Sequence, residues 1–158
     1  MGSAVNISTW PSLTTQTFNL SPMNHPGSKG ERKLQKKYGT SKSAGSFYNA
    51  QMLDYLNSEM QQFISEQEMV FLSTADSKGE CDASFRAGPK GFVKTLDSKI
   101  LIFPEFKGNG VMASLGNISE NPQIGLMFID FYRSTIGLHV NGNAEIITEQ
   151  EAGKLEPP

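Results

Sequence analysis

The sequence predicts a mainly β fold of the α+β class, a small closed β-barrel with helical additions. Three observations predict it. Six short strand-like segments follow one another between residues 69 and 147, turn formers separate them, and two stretches carry a helical apolar repeat. The chain has 158 residues, enough for one domain of ordinary size or a domain with a tail. A chain of that length buries roughly 70% of its unfolded surface and needs no disulfide or metal to stay folded.

The first 24 residues are rich in Ser, Thr, Asn and Pro, with scattered Trp10, Leu13, Phe18 and Leu20 and no period of 2 or 3.6. They read as a flexible arm over 1–24 whose apolar residues are suited to packing on another surface, such as a second subunit. A basic lead-in follows over 25–48, where Lys29, Arg32, Lys33, Lys36, Lys37 and Lys42 face one acid, Glu31. Such a cluster is most often a solvated segment. Leu34-Gln35 marks one helical turn within it. Between 49 and 65, Met52, Leu53, Leu56, Met60, Phe63 and Ile64 form an apolar stripe at 3.6 residues per turn, with Asn49 as the N-cap, so one helix is expected there.

MVFLSTA, from Met69, is the first strand, closed by Asp76-Ser77-Lys78-Gly79. CDASFRAG alternates as the second and breaks at Gly88-Pro89. GFVKTL, the Asp97-Ser98 turn and KILIFP read as a hairpin, ended by Pro104. Val111, Leu115 and Ile118 then predict a short helix, stopped at Asn121-Pro122. QIGLMFIDF and IGLHVNGNAEII complete the six. A helix between the fourth and fifth strands closes one end, which favours a barrel over a sandwich. The barrel domain is therefore placed at 49–150, with a C-terminal tail at 151–158.

Composition excludes several function classes. The net charge of −2, with 19% charged residues, argues against a general affinity for nucleic acid or anionic membrane. No run of about 18 apolar residues predicts a membrane span. MGSAVNISTW lacks the basic and apolar regions of a signal peptide. One cysteine, Cys81, excludes an internal disulfide and fits a reducing compartment, so a cytoplasmic location is expected.

No catalytic constellation stands out. Two histidines, His25 and His139, and one cysteine are too few for a zinc site, so no metal is expected. Cys81 lies between Glu80 and Asp82, whose charges raise a thiol pKa and blunt its reactivity. What remains is a set of polar and basic groups. Ser84 and Arg86 share a strand face by the period of two, and Lys94 sits on the next strand. Lys107, Gly108, Asn109 and Gly110 precede a helix whose free amides and dipole favour an anion. Together they suit a phosphate, with Phe92, Val93, Phe103 and Pro104 left to hold a flat ring. Arg86 and Lys94 serve equally well as partners in surface ion pairs.

The blocks Asp82-Ala-Ser84 with Arg86, Gly91-Phe-Val93 up to Leu96-Asp97, Pro104, Gly108-Asn109, Ser114-Leu115, Asn117, Asn121-Pro122, Gly125-Leu126 and Val140-Asn141-Gly142 occur in order. Over about residues 25–147 the chain resembles the pyridoxamine 5'-phosphate oxidase-like flavoproteins, closest to a branch with no established pyridoxamine activity. The resemblance implies an FMN-binding split β-barrel, six-stranded, and a homodimer with flavin at the subunit interface. It places Ser84, Arg86 and Lys94 at the flavin phosphate and ribityl chain, and backbone of Phe92 and Val93 near the ring. Pro104, Asn109 and Ser114 would line the far side of the phosphate pocket. Relatives typically carry an arginine where this chain has Gly110, with Lys107 the nearest substitute. They also commonly continue past residue 158.

The implied function is an FMN-dependent oxidoreductase acting on a small molecule by hydride transfer, with NAD(P)H as an electron donor to test. The alternatives are a non-catalytic flavin-binding or storage protein, or a split barrel that takes haem or a deazaflavin. A nucleic-acid module built on residues 29–42 is a further reading, which the acidic total opposes.

Overall fold

The computed structural model describes residues 13–17, 27–106 and 108–155. They fall into two compact units: residues 27–55, and residues 13–17 together with 56–106 and 108–155. Within the first unit, α1 (Lys29–Tyr38) and α2 (Ser41–Gln51) are separated by Gly39, whose φ of 70° is in the left-handed region that glycine enters without a Cβ clash. The Ser28 and Glu31 side chains each accept from the other's backbone amide, a capping box at the start of α1. The basic lead-in is thus two helices, longer than the single turn expected around Leu34-Gln35.

The second unit holds an antiparallel sheet of seven strands: β1 (Leu13–Thr17), β2 (Met69–Ala75), β3 (Cys81–Ala87), β4 (Lys94–Thr95), β5 (Ile100–Pro104), β6 (Gln123–Ile129) and β7 (Gly137–Ile147). Their spatial order is β3-β2-β6-β7-β1-β5-β4. Three helices accompany them: α3 (Ser58–Ser65), α4 (Ala113–Glu120) and α5 (Glu149–Leu155). Each of the six expected segments contains a strand, GFVKTL only the two residues of β4, and β1 is a further strand. Val70, Leu72, Leu101, Phe103, Leu126, Phe128 and Val140 point to the buried side of the sheet, where Ile64, Ile118 and Ala152 of the helices also lie buried. No helix among the described residues is long and apolar enough to cross a membrane.

Four expectations are corrected. The arm read over 1–24 contains β1, paired with β5 on one side and β7 on the other; the rest of that arm lies outside the described residues. LTTQT lacks apolar alternation, and its place comes from the two ladders it completes. The single helix expected over 49–65 is two helices with a non-helical stretch between them. Leu56 N donates to Ser98 O at 2.7 Å, and Asn57 Oδ1 caps α3 from Met60 N at 2.9 Å. Asn57, not Asn49, is the cap. The helix expected from Val111 begins at Ala113, because Gly108, Gly110 and Met112 all have positive φ. Val111 is 71% exposed, and Ser114 and Ile118 take the buried face. Finally, the tail over 151–158 carries most of α5, which begins with a second capping box between Thr148 and Glu151.

Candidate functional site

β3 and α4 build the cluster. In β3, Asp82, Ser84 and Arg86 share one half-buried face, opposite Thr74, Leu72 and Val70 of β2. Three contacts fix α4 across them. Asn117 Nδ2 donates to Thr74 Oγ1 at 3.0 Å, Glu120 accepts from the Ser77 hydroxyl at 2.7 Å, and buried Ser114 meets β3.

Ser114 Oγ lies 2.9 Å from Ser84 Oγ and donates to Asp82 Oδ2 at 3.2 Å. Arg86 Nη1 donates to Ser84 Oγ at 3.1 Å and to Phe85 O at 3.0 Å. A hydroxyl has one proton, so with Ser114's spent on Asp82, Ser84 donates to Ser114. The cluster is a directed chain from guanidinium through two hydroxyls to a carboxylate. At its other end, Arg86 Nε donates to both oxygens of Glu105 at 2.7 and 2.9 Å. The side chains of Arg86 and Glu105 are only 16% and 6% exposed. β3 begins the strand order and Glu105 follows β5 near its end, so this pair joins the two ends of the sheet. No backbone ladder joins them among the described residues.

Ser84, Arg86 and Ser114 are therefore brought together, with Ser114 in direct contact with Ser84. Lys94 lies on two-residue β4 beside Ile102 of β5, with its side chain exposed. Asn109 is in the exposed loop before α4, its Oδ1 accepting from Val111 N at 3.0 Å. Pro104 is half-buried at the end of β5. Lys107 lies outside the described residues, as does His25. Phe92, Val93 and Phe103 are buried core residues, so the apolar slot expected from their side chains with Pro104 is not open to a ring. Only the backbone of Phe92 and Val93 is left for a ligand. Gly110 has a φ of 82°, where an L side chain costs roughly 1–2 kcal/mol, which suits glycine to this position in place of the relatives' arginine.

Glu105 was not legible as a site residue, because its partner comes from a distant strand. Nor is Asp82 among the expected site residues, although its i, i+2, i+4 spacing with Ser84 and Arg86 marks it on their face. A cavity of about 620 Å³ opens elsewhere, across β2, β6 and β7, lined by Ser73, Cys81, Gln123, Gly125, Asn141 and Asn143 among others. It contains none of the expected site residues, and the cluster carries the more specific chemistry.

Residues 56–155 match the family model described as Pyridoxamine 5'-phosphate oxidase. The chain belongs to that family. The matched span holds every residue of the cluster, and the family is one of flavin-binding split barrels, a fold with which the α+β architecture is compatible. No curated protein and no solved structure matches the chain.

A phosphate-bearing flavin can be tested against these residues. The first amides of α4 have no side-chain cap, since Met112 supplies none. Arg86 Nη2 makes no hydrogen bond among the described residues, and the Ser84 and Ser114 hydroxyls can turn to an incoming acceptor at the cost of the bonds they now donate. These donors fit a phosphate. Against them stand two carboxylates, Asp82 and Glu105, beside one cation.

Proposed function

We propose that this chain binds FMN and acts as an oxidoreductase on a small molecule. The observation that carries the reading is the Ser84–Ser114–Arg86 cluster beside the uncapped start of α4, within the span that matches the family. Bound FMN would supply the redox chemistry, accepting hydride and passing electrons on. The chain's own part is to bind and orient. Arg86 presents a planar fork, Ser84 and Ser114 offer hydroxyls, and the α4 amides add partial positive charge. Asn117 and Glu120 hold α4 in register with β2 and the turn that follows it, so the donors keep their spacing.

Flavin binding without turnover is the second reading. It is favoured by the engagement of Asp82, Arg86 and Glu105 in hydrogen bonds with one another or with serine, which leaves none of them poised for proton transfer. The purified protein is mixed with FMN, desalted, and its visible spectrum recorded. Retained flavin bands are expected, and a colourless product overturns the reading. Consumption of NAD(P)H by the loaded protein then separates an oxidoreductase from a binding protein.

The functional unit in this reading is a homodimer in a reducing compartment, the cytoplasm, where Cys81 stays a free thiol. Support for the dimer comes from the outer face of β2, β3, β6 and β7. Its alternate positions include Met69, Phe71, Phe85, Met127 and His139, and no Lys, Arg, Asp or Glu lies among them up to Asn143. A face without formal charge meets its own copy without like-charge repulsion.

A further inference from the structure

We propose that the negative charge of Glu105 sets the anion selectivity of the Arg86 cluster, so that it governs how strongly the site prefers a flavin with its phosphate to the same flavin without. The inference rests on the flavin reading above and goes beyond it, because it assigns a specificity-determining role to a residue outside the expected set.

Three contacts fix the guanidinium. Nε is held by both oxygens of Glu105, and Nη1 is shared between Ser84 Oγ and Phe85 O. Glu105 therefore has two opposite effects. Its oxygens orient Arg86, which favours any anion that Arg86 receives. Its charge cancels that of Arg86, which disfavours the same anion. Asp82, at the far end of the hydroxyl chain, adds a second carboxylate. A phosphomonoester carries between one and two negative charges near neutral pH, so it meets a cluster whose carboxylates already outnumber its cation. Both members of the pair are largely buried, so salt screens this opposition poorly. The uncharged flavin lacks the group on which the charge acts.

Glutamine separates the two effects. The carboxamide oxygen of Glu105→Gln still accepts from Nε, so the orientation is kept and the charge is removed. Glu105→Ala removes both. Affinities of FMN and riboflavin are read from quenching of flavin fluorescence for the parent chain and each variant, with near-ultraviolet circular dichroism to check the fold. E105Q is expected to tighten FMN about tenfold and to change riboflavin less than about twofold. E105A is expected to give a smaller gain for FMN than E105Q, since the guanidinium loses its hold.

Equal shifts for both flavins, or no shift for either, overturn the role of Glu105 and leave it a structural partner of Arg86. Absence of binding by both flavins to the parent chain overturns the cofactor reading, and this inference with it. Should E105Q alone fail to fold, R86Q/E105Q, which leaves no unpaired charge at this pair, is compared with R86Q, which keeps the Glu105 carboxylate. A gain for FMN over riboflavin of about threefold or more supports the role, and a smaller one overturns it.

Discussion

Arg86 and Glu105 form the most consequential side-chain pair of the described residues, because each is largely removed from water and the other is its compensation. Breaking such a pair from one side leaves a buried charge behind, at a cost of about 3–5 kcal/mol. Arg86→Ala is accordingly expected to lower stability by about 3 kcal/mol in denaturant unfolding, near the low end because Arg86 keeps some exposure. In the flavin reading, the same variant weakens FMN by about 1.5–3 kcal/mol, the range for a charge-assisted hydrogen bond. Unchanged FMN affinity removes Arg86 from the site. Asp130 is a second residue with a definite expectation. Its carboxylate accepts from the backbone of Arg133 foremost, and also from the Ser134 hydroxyl and the amides of Tyr132 and Ser134. Together these bonds outweigh the opposing desolvation and hold its pKa at about 2, below the ordinary 3.8. A depressed carboxylate stabilises the fold above its unfolded pKa, and that contribution fades as pH falls through the folded value. The turn after β6 should therefore loosen between about pH 4 and pH 2. Carbon-detected NMR of the Asp130 carboxyl is the check, and an ordinary midpoint near the unfolded value would show that the turn is not formed.

Elements in this chain are set by their ends. α3 starts where Asn57 Oδ1 accepts from Met60 N, and Gln61 Nε2 reinforces the start by donating to Leu56 O at 2.8 Å. Replacing Asn57 with alanine leaves first-turn amides without that acceptor and should cost about 1 kcal/mol in unfolding free energy. A loss under about 0.3 kcal/mol would mean that packing of Ile64, not the cap, places the helix. The β4–β5 turn is likewise set locally: Asp97 Oδ1 accepts from Lys99 N at 2.6 Å and Ile100 N at 2.9 Å. Both capping boxes were legible as S-x-x-E and T-x-x-E, at Ser28–Glu31 and Thr148–Glu151. Reading a solvated segment around α1 and a tail at 151–158 passes over them, and α1 has no buried residue to give it an apolar period.

For the whole molecule the open question is what covers the outer face of the sheet. Phe71 sits 6.4 Å from Phe85 and 6.3 Å from Phe131, ring centre to ring centre, and the last two are each more than half exposed. Exposed aromatic clusters of this kind mark interaction surfaces in monomer-sized chains. The proposed homodimer should scatter light with twice the 17.3 kDa mass of the chain at micromolar concentration. Phe85→Asp puts a charge on the neutral face and should shift the mass toward the monomer without loss of secondary structure. A parent chain that is monomeric throughout that range counts against the dimer.

The sequence by itself determined the strand-rich order, the turns, the short helix before Asn121-Pro122, and the grouping of Ser84 and Arg86 on one face. These follow from periods and turn chemistry that act over a few residues. Tertiary structure alone decided the rest. β1 became a strand because β5 and β7 offered it two ladders, and Leu56 left the helical stripe because Ser98 bound its amide. Phe92, Val93 and Phe103 went to the core and not to a ligand slot. Glu105 reached Arg86 from the other end of the strand order. Each of those outcomes depends on a partner distant in the chain, and local periodicity carries no information about such a partner.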